Sequence, residues 1–137
     1  MSYQKTLITG GKGLVGSAME SDYKPSRSEL NLLDYNQIVD YLNDNKIDSI
    51  IHCAAKVGGI KANWDYAADF FDENILMNTN LLRAAHNSGV EKVVSFMSTC
   101  IFPDLGVQYP LTSCQMHDGE PHPSNFAYAY AKRMIEV

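Results

Sequence analysis

The sequence is short of positive charge. Eleven Lys and Arg stand against 16 Asp and Glu, for a formal net charge of −5, and the cations are scattered along the chain. Holding a nucleic-acid backbone needs clustered Lys and Arg, so no nucleic-acid partner is expected. Cysteine is scarce as well: Cys53, Cys100 and Cys114 are odd in number and lack metal-ligand spacing. That argues against a disulfide framework and against a metal, and predicts reduced thiols in a cytoplasmic protein. No stretch approaches the roughly 18 consecutive apolar residues of a membrane span, so no membrane partner is expected. Met1-Ser2-Tyr3-Gln4-Lys5 leads straight into a short apolar strand and not into an export signal. Low-complexity tracts and fixed-period repeats are missing too, and a composition 45% hydrophobic and 20% charged is that of a globular protein. With 137 residues, the expectation is one domain over residues 1–137.

What is present alternates between strand and helix patterns. Lys5–Thr9 is short, apolar and β-branched, and runs into Gly10–Met19, which reads as a glycine turn opening a short helix. Asp22–Ser26 reads as a weak second strand, weakened by Pro25, which lacks a ladder donor. Asp34–Asn45 has apolar residues at helical spacing with Asp34 as N-cap, and Ile47–Ala55 is a nearly continuous apolar run suited to a central parallel strand. Tyr66–Asn87 reads as a long helix stopped by Ser88-Gly89, and Lys92–Ser98 as another buried strand. Thr99–Pro123 reads as a loop long enough to serve as a lid or substrate rim, with a last helix from Ser124 or Asn125. The fold class is therefore α/β: a Rossmann-like doubly wound parallel sheet with helices on both faces. Ligands of such sheets sit at the strands' C-terminal ends, here Thr9-Gly10, Ala54-Ala55-Lys56 and Ser98-Thr99-Cys100.

Gly10, Gly13 and Gly16 fit G-x-x-G-x-x-G, while Gly11, Gly13 and Gly16 fit G-x-G-x-x-G. Either spacing lets a pyrophosphate approach the backbone around Lys12, Leu14 and Val15 at a helix start; the plainer reading is a tight strand-to-helix turn. Where an NAD site has an acidic residue ending the second strand, this chain has Ser26-Arg27-Ser28, and Lys12 lies in the glycine turn. Cations there favour NADP, unless Arg27 is only a solvated surface charge. Near the end, Tyr128 and Lys132 stand four apart on one helix face. An ammonium beside a phenol favours the phenolate, lowering the pKa of a hydroxyl able to exchange a proton with a carbonyl oxygen. Alone, such a pair more often marks a solvated face; behind a glycine turn and a strand ending in Ser98-Thr99-Cys100 it points to a nicotinamide-dependent reductase.

The segments Ile8–Ser17, Ala54-Ala55-Lys56-Val57-Gly58-Gly59-Ile60, Ser98-Thr99-Cys100-Ile101-Phe102-Pro103 and Tyr128–Arg133 together resemble the GDP-L-fucose synthase family of extended short-chain dehydrogenases/reductases. The resemblance runs over the whole chain. It implies NADPH as cofactor, a GDP-4-keto-6-deoxymannose substrate epimerised and then reduced at its C4 carbonyl to GDP-L-fucose, and a homodimer formed through helices, which the helix faces with Phe70, Phe71, Ile75 and Tyr128–Met134 also suggest. Carried over by position, Ser98 holds the C4 oxygen, Tyr128 protonates it, and Lys132 tunes Tyr128 and holds the nicotinamide ribose. Cys100 is then an epimerisation acid/base, where the residues alone suggest a small buried side chain. The backbone of Ala54, Ala55 and Lys56 lines the cofactor. His52 and His86 read as structural, and His117 and His122 as loop residues.

Two departures stand out. Sixteen residues separate Gly16 from Leu33, little room for a helix and a second strand, and this bears on Arg27. The sequence also stops one helical turn after Lys132, which reads as C-terminal truncation before a substrate domain. Two further readings therefore stay open: a non-catalytic NADP-binding module, or another extended reductase such as a sugar-nucleotide 4-epimerase.

Overall fold

Three short parallel strands, β1 (Thr6–Thr9), β2 (Ser49–His52) and β3 (Lys92–Ser95), lie in the order β1-β2-β3 in the computed structural model, which describes residues 5–137. The lead-in Met1–Gln4 lies outside the described residues. Pairing is in register, with Leu7 beside Ile50 and Ile50 beside Val93. Side chains alternate across a strand, so these three share a face. That face meets Ile38 and Leu42 of α2 (Tyr35–Asn45) and Leu81, Ala84 and Ala85 of α4 (Ala67–Asn87) in one apolar cluster. Asp34 caps α2 as expected, accepting from the Gln37 N–H at 3.1 Å. Gly89 ends α4 in the left-handed region, φ +72°.

The sheet belongs to a compact unit made of residues 1–55 and 76–96. Two expectations change within it. The weak second strand reduces to one parallel bridge between Leu7 and Tyr23, with Ile8 N–H donating to the Tyr23 carbonyl at 2.8 Å. Pro25 offers no donor, and the chain turns at once through Ser26–Leu30. The expected buried strand Lys92–Ser98 ends at Ser95 and is not buried throughout: Val94 is 43% exposed. Among the described residues β3 is paired on one side only, and across the Ile8, Ile51 and Val94 register burial falls from Ile8 through Ile51 to Val94.

Residues 56–75 and 97–137 form the second unit. Its helices are α3 (Ile60–Asp65), the first turns of α4, and α5 (Phe126–Arg133). Helix α3 was not expected; Gly59 is its N-cap. The stretch from Thr99 to Pro123 is not featureless either. It contains 3-10 turns at Thr99–Ile101 and Ser113–His117, and a third, Pro123–Asn125, leads into α5. The first packs on α5 and the third on α3. Among the described residues no helix is long and apolar enough to cross a membrane, and no group of His, Cys, Asp and Glu could hold a metal.

Candidate active site

The glycines of the first unit divide by what holds them. Gly10 has φ +67°, and a Cβ there would stand 2.7 Å from the Ala54 nitrogen; a Cβ on Gly16 would strike the Gly10 carbonyl. Packing alone demands both. Gly13 is different: it is exposed, has φ −79°, and an added Cβ would meet only the Gly10 carbonyl, at 3.2 Å. The fold constrains this glycine less than Gly10 or Gly16, and a ligand approaching the backbone would constrain it further. Gly13 caps α1 (Leu14–Ser17), and the first N–H groups of a helix have no acceptor within it. Leu14 is 94% exposed. A helix of one turn has little dipole, so an anion here would depend on those N–H groups directly.

Lys12 and Arg27 are both exposed. Glu29 lies nearby, its carboxyl held below the ordinary carboxylate range first by the Ser26 hydroxyl, then by the Ser26 N–H, and further by the charge of Lys12. Lys12 is therefore within electrostatic reach of an anion of the chain's own. Behind the glycine turn, Ala54 N–H donates to Thr9 Oγ1 (3.3 Å), Thr9 Oγ1 meets His52 Nδ1 (2.7 Å), and His52 Nε2 meets Asn78 Oδ1 (3.0 Å). An amide oxygen only accepts, so a neutral His52 donates from Nε2 and receives the Thr9 proton at Nδ1. His52 is fully buried and has the structural role expected.

In the second unit the backbone of Lys56 is clamped by Asn74. Lys56 N–H donates to Asn74 Oδ1 (2.9 Å), and Asn74 Nδ2 donates to the carbonyls of Lys56 (3.0 Å) and Phe70 (2.7 Å). The Lys56 ammonium pairs with Glu73 at 2.5 Å. Its N–H is thus occupied, and what Lys56 can offer a ligand is position and its carbonyl's second lone pair. Sequence reasoning missed both Asn74 and Asn78. The signal was available: Phe70, Asn74, Asn78, Leu81 and Ala85 all lie on the buried stripe of α4, two amides at core spacing.

Ser98, Cys100, Tyr128 and Lys132 all belong to this unit. Ser98 caps the Thr99–Ile101 turn, its Oγ accepting from Cys100 N–H at 3.2 Å, and its hydroxyl hydrogen-bonds the Tyr128 phenol. Tyr128 is half-buried, and Lys132 is 2% exposed on the same helix. The phenol is pushed above its ordinary value, first by burial; the Ser98 hydrogen bond works against the shift and Cys100 adds to it. The expected lowering by Lys132 is thus reversed here, because burial penalises a phenolate more than its neighbours stabilise it. A neutral phenol is the form that can give a proton to a carbonyl oxygen. Of the other histidines, His117 pairs with Glu136 at 2.6 Å and His122 accepts from Ser124 N–H, both at the surface.

The chain is 41% identical to a probable GDP-L-fucose synthase of Drosophila melanogaster over 98% of its own length, and 42% identical to a GDP-L-fucose synthase of Dictyostelium discoideum over 99%. It spans less than half of these relatives, 45% and 46% of their lengths. The crystal structure of a GDP-L-fucose synthetase from Naegleria fowleri bound to NADP superposes on 96% of the chain and 42% of that protein, with a TM-score of 0.84 and 36% identity. Residues 6–137 match the profile of the NAD dependent epimerase/dehydratase family. With its parallel sheet, glycine turn and paired Ser98 and Tyr128, the chain belongs to that family.

Proposed function

We propose that this chain is the cofactor-binding part of an NADPH-dependent epimerase/reductase that converts GDP-4-keto-6-deoxymannose to GDP-L-fucose. The observation that carries the reading is the hydrogen bond between Ser98 and a Tyr128 phenol held neutral, with Cys100 within electrostatic reach. Tyr128 donates its proton to the C4 oxygen of the sugar, and Ser98 orients that oxygen by a hydrogen bond. Cys100 exchanges protons at the carbons beside the carbonyl during epimerisation. When bound, the nicotinamide supplies the hydride. Lys132 holds the ribose, the N–H groups around Gly13, Leu14 and Val15 hold the pyrophosphate beside Gly10 and Gly16, and Lys12 and Arg27 select the 2′-phosphate of NADP. Ala54, Ala55 and Lys56 border the cofactor.

The protein acts in the cytoplasm as a homodimer through helix faces. Support for a helix interface comes from Phe71, 40% exposed; Phe70 is only 4% exposed and so does not belong to such a face. A monomer in analytical ultracentrifugation would contradict the dimer. The function is tested by titrating the chain with NADPH, NADH and the GDP-keto sugar, and by following NADPH oxidation with the sugar present. NADPH is expected to bind more tightly than NADH, and oxidation to disappear in Tyr128→Phe. Preference for NADH overturns the cofactor assignment, and NADPH binding without sugar binding or turnover leaves a non-catalytic module.

A further inference from the structure

Arg133 directly follows Lys132, and its side chain is 2% exposed. A guanidinium taken out of water must be paired or hydrogen-bonded to be tolerated. Among the described residues it has no ion pair. Instead its Nε–H donates to the carbonyl of Ile101 at 2.5 Å, its guanidinium stands 5.1 Å from the centroid of the Tyr130 ring, and Nη2 has no partner. Ile101 closes the Thr99–Ile101 turn, next to Cys100. The turn's other bonds are its own and long: Cys100 N–H to Ser98 Oγ at 3.2 Å, Ile101 N–H to the Ser98 carbonyl at 3.2 Å, and Phe102 N–H to the Thr99 carbonyl at 3.3 Å. These lie at or beyond the far end of the ordinary N–H···O range, whereas the Arg133 bond is short and charge-assisted.

We propose that Arg133 is a positioning residue, whose buried guanidinium ties the turn carrying Ser98 and Cys100 to the helix that carries Tyr128. The inference rests on the reading that these three residues perform the chemistry. Arg133→Met keeps the apolar stem and removes every donor, while Arg133→Lys restores a cationic donor on a similar stem. In the 137-residue chain, amide exchange at Ile101 and Phe102 is expected to quicken about tenfold or more in Arg133→Met and to recover in part in Arg133→Lys. Amides of β1 and β2 stay unchanged. A second readout is the Tyr128 phenol, which rises further in Arg133→Met as the Ser98 bond loosens and returns toward wild type in Arg133→Lys. Unchanged exchange at Ile101 and Phe102 overturns the proposal, and so does an equal increase at every amide, which would make Arg133 a contributor to global stability only. Should the Met variant not fold, Arg133→Gln against Arg133→Lys gives the same comparison. A wild-type chain that fails to bind NADPH would sink the proposed function and leave the exchange result readable.

Discussion

Ten buried apolar residues, from Leu7 to Ala85, form one cluster in the unit that carries the sheet and the glycine turn. The unit that carries Ser98, Cys100, Tyr128 and Lys132 buries Phe70, Ile101 and Met116 but also Asn63, Asn74, Lys132 and Arg133. In the first, position follows mainly from apolar area removed from water, a non-directional force spread over many contacts, with one buried polar chain, Thr9–His52–Asn78, set into it. In the second, position follows from a few directional bonds between side chains and backbone: Asn74 on Lys56, Asn63 on Gly58 and Gly59, Arg133 on Ile101. On the proposed function this region delivers a proton to one atom, which needs the second kind of control, and each bond there is a separate point of failure.

Substitutions can break or sharpen this contrast. The largest loss is expected for Leu81→Ala in the sheet's core, about 2–5 kcal/mol by urea unfolding, because the cavity adds to the lost burial. Asn74→Ala should cost less, about 1–3 kcal/mol, by leaving the N–H of Lys56 without its acceptor. Its effect should be concentrated in amide exchange near Lys56, and a uniform loss of protection would contradict a directional scaffold. Ser98→Ala should change stability least, within about 1 kcal/mol, while moving the Tyr128 titration. The folded phenol already titrates above its ordinary value of 10.0. Its contribution to stability is therefore fully present below that value and lost as the pH rises through the folded one. Removing the Ser98 bond, which favours the phenolate, extends that window upward. A tyrosinate absorbance titration showing a downward shift would refute the assignment.

The same contrast explains what could be read from the residues alone. Helices α2 and α4, the three parallel strands and the Gly10–Gly16 turn were legible because apolar period and glycine spacing report burial and close approach directly. Helix α3 was not, since six residues behind two glycines carry too little periodicity. The second strand failed where Pro25 removed a donor, and the edge position of β3 is a property of sheet order that no single strand encodes. Ser98, Tyr128 and Lys132 were legible as types and spacings, but the upward shift of the phenol was not: spacing shows that Lys132 shares a helix face, and burial decides the sign. Asn74 and Arg133 act on backbone groups 18 and 32 residues away, and such partners leave no local pattern.

Gly13 provides the most direct test of the central claim, that the glycine turn binds a dinucleotide phosphate and is more than a tight bend. Calorimetric titration of NADPH into wild type and Gly13→Val, with thermal unfolding of both, separates the two. A Cβ at Gly13 has one neighbour, the Gly10 carbonyl at 3.2 Å, which must give by a few tenths of an ångström, and φ −79° suits any residue, so the variant should fold with a modestly lowered Tm. The account predicts NADPH affinity at least about tenfold weaker, equal to about 1.4 kcal/mol. Equal NADPH affinity in the two folded proteins would contradict it.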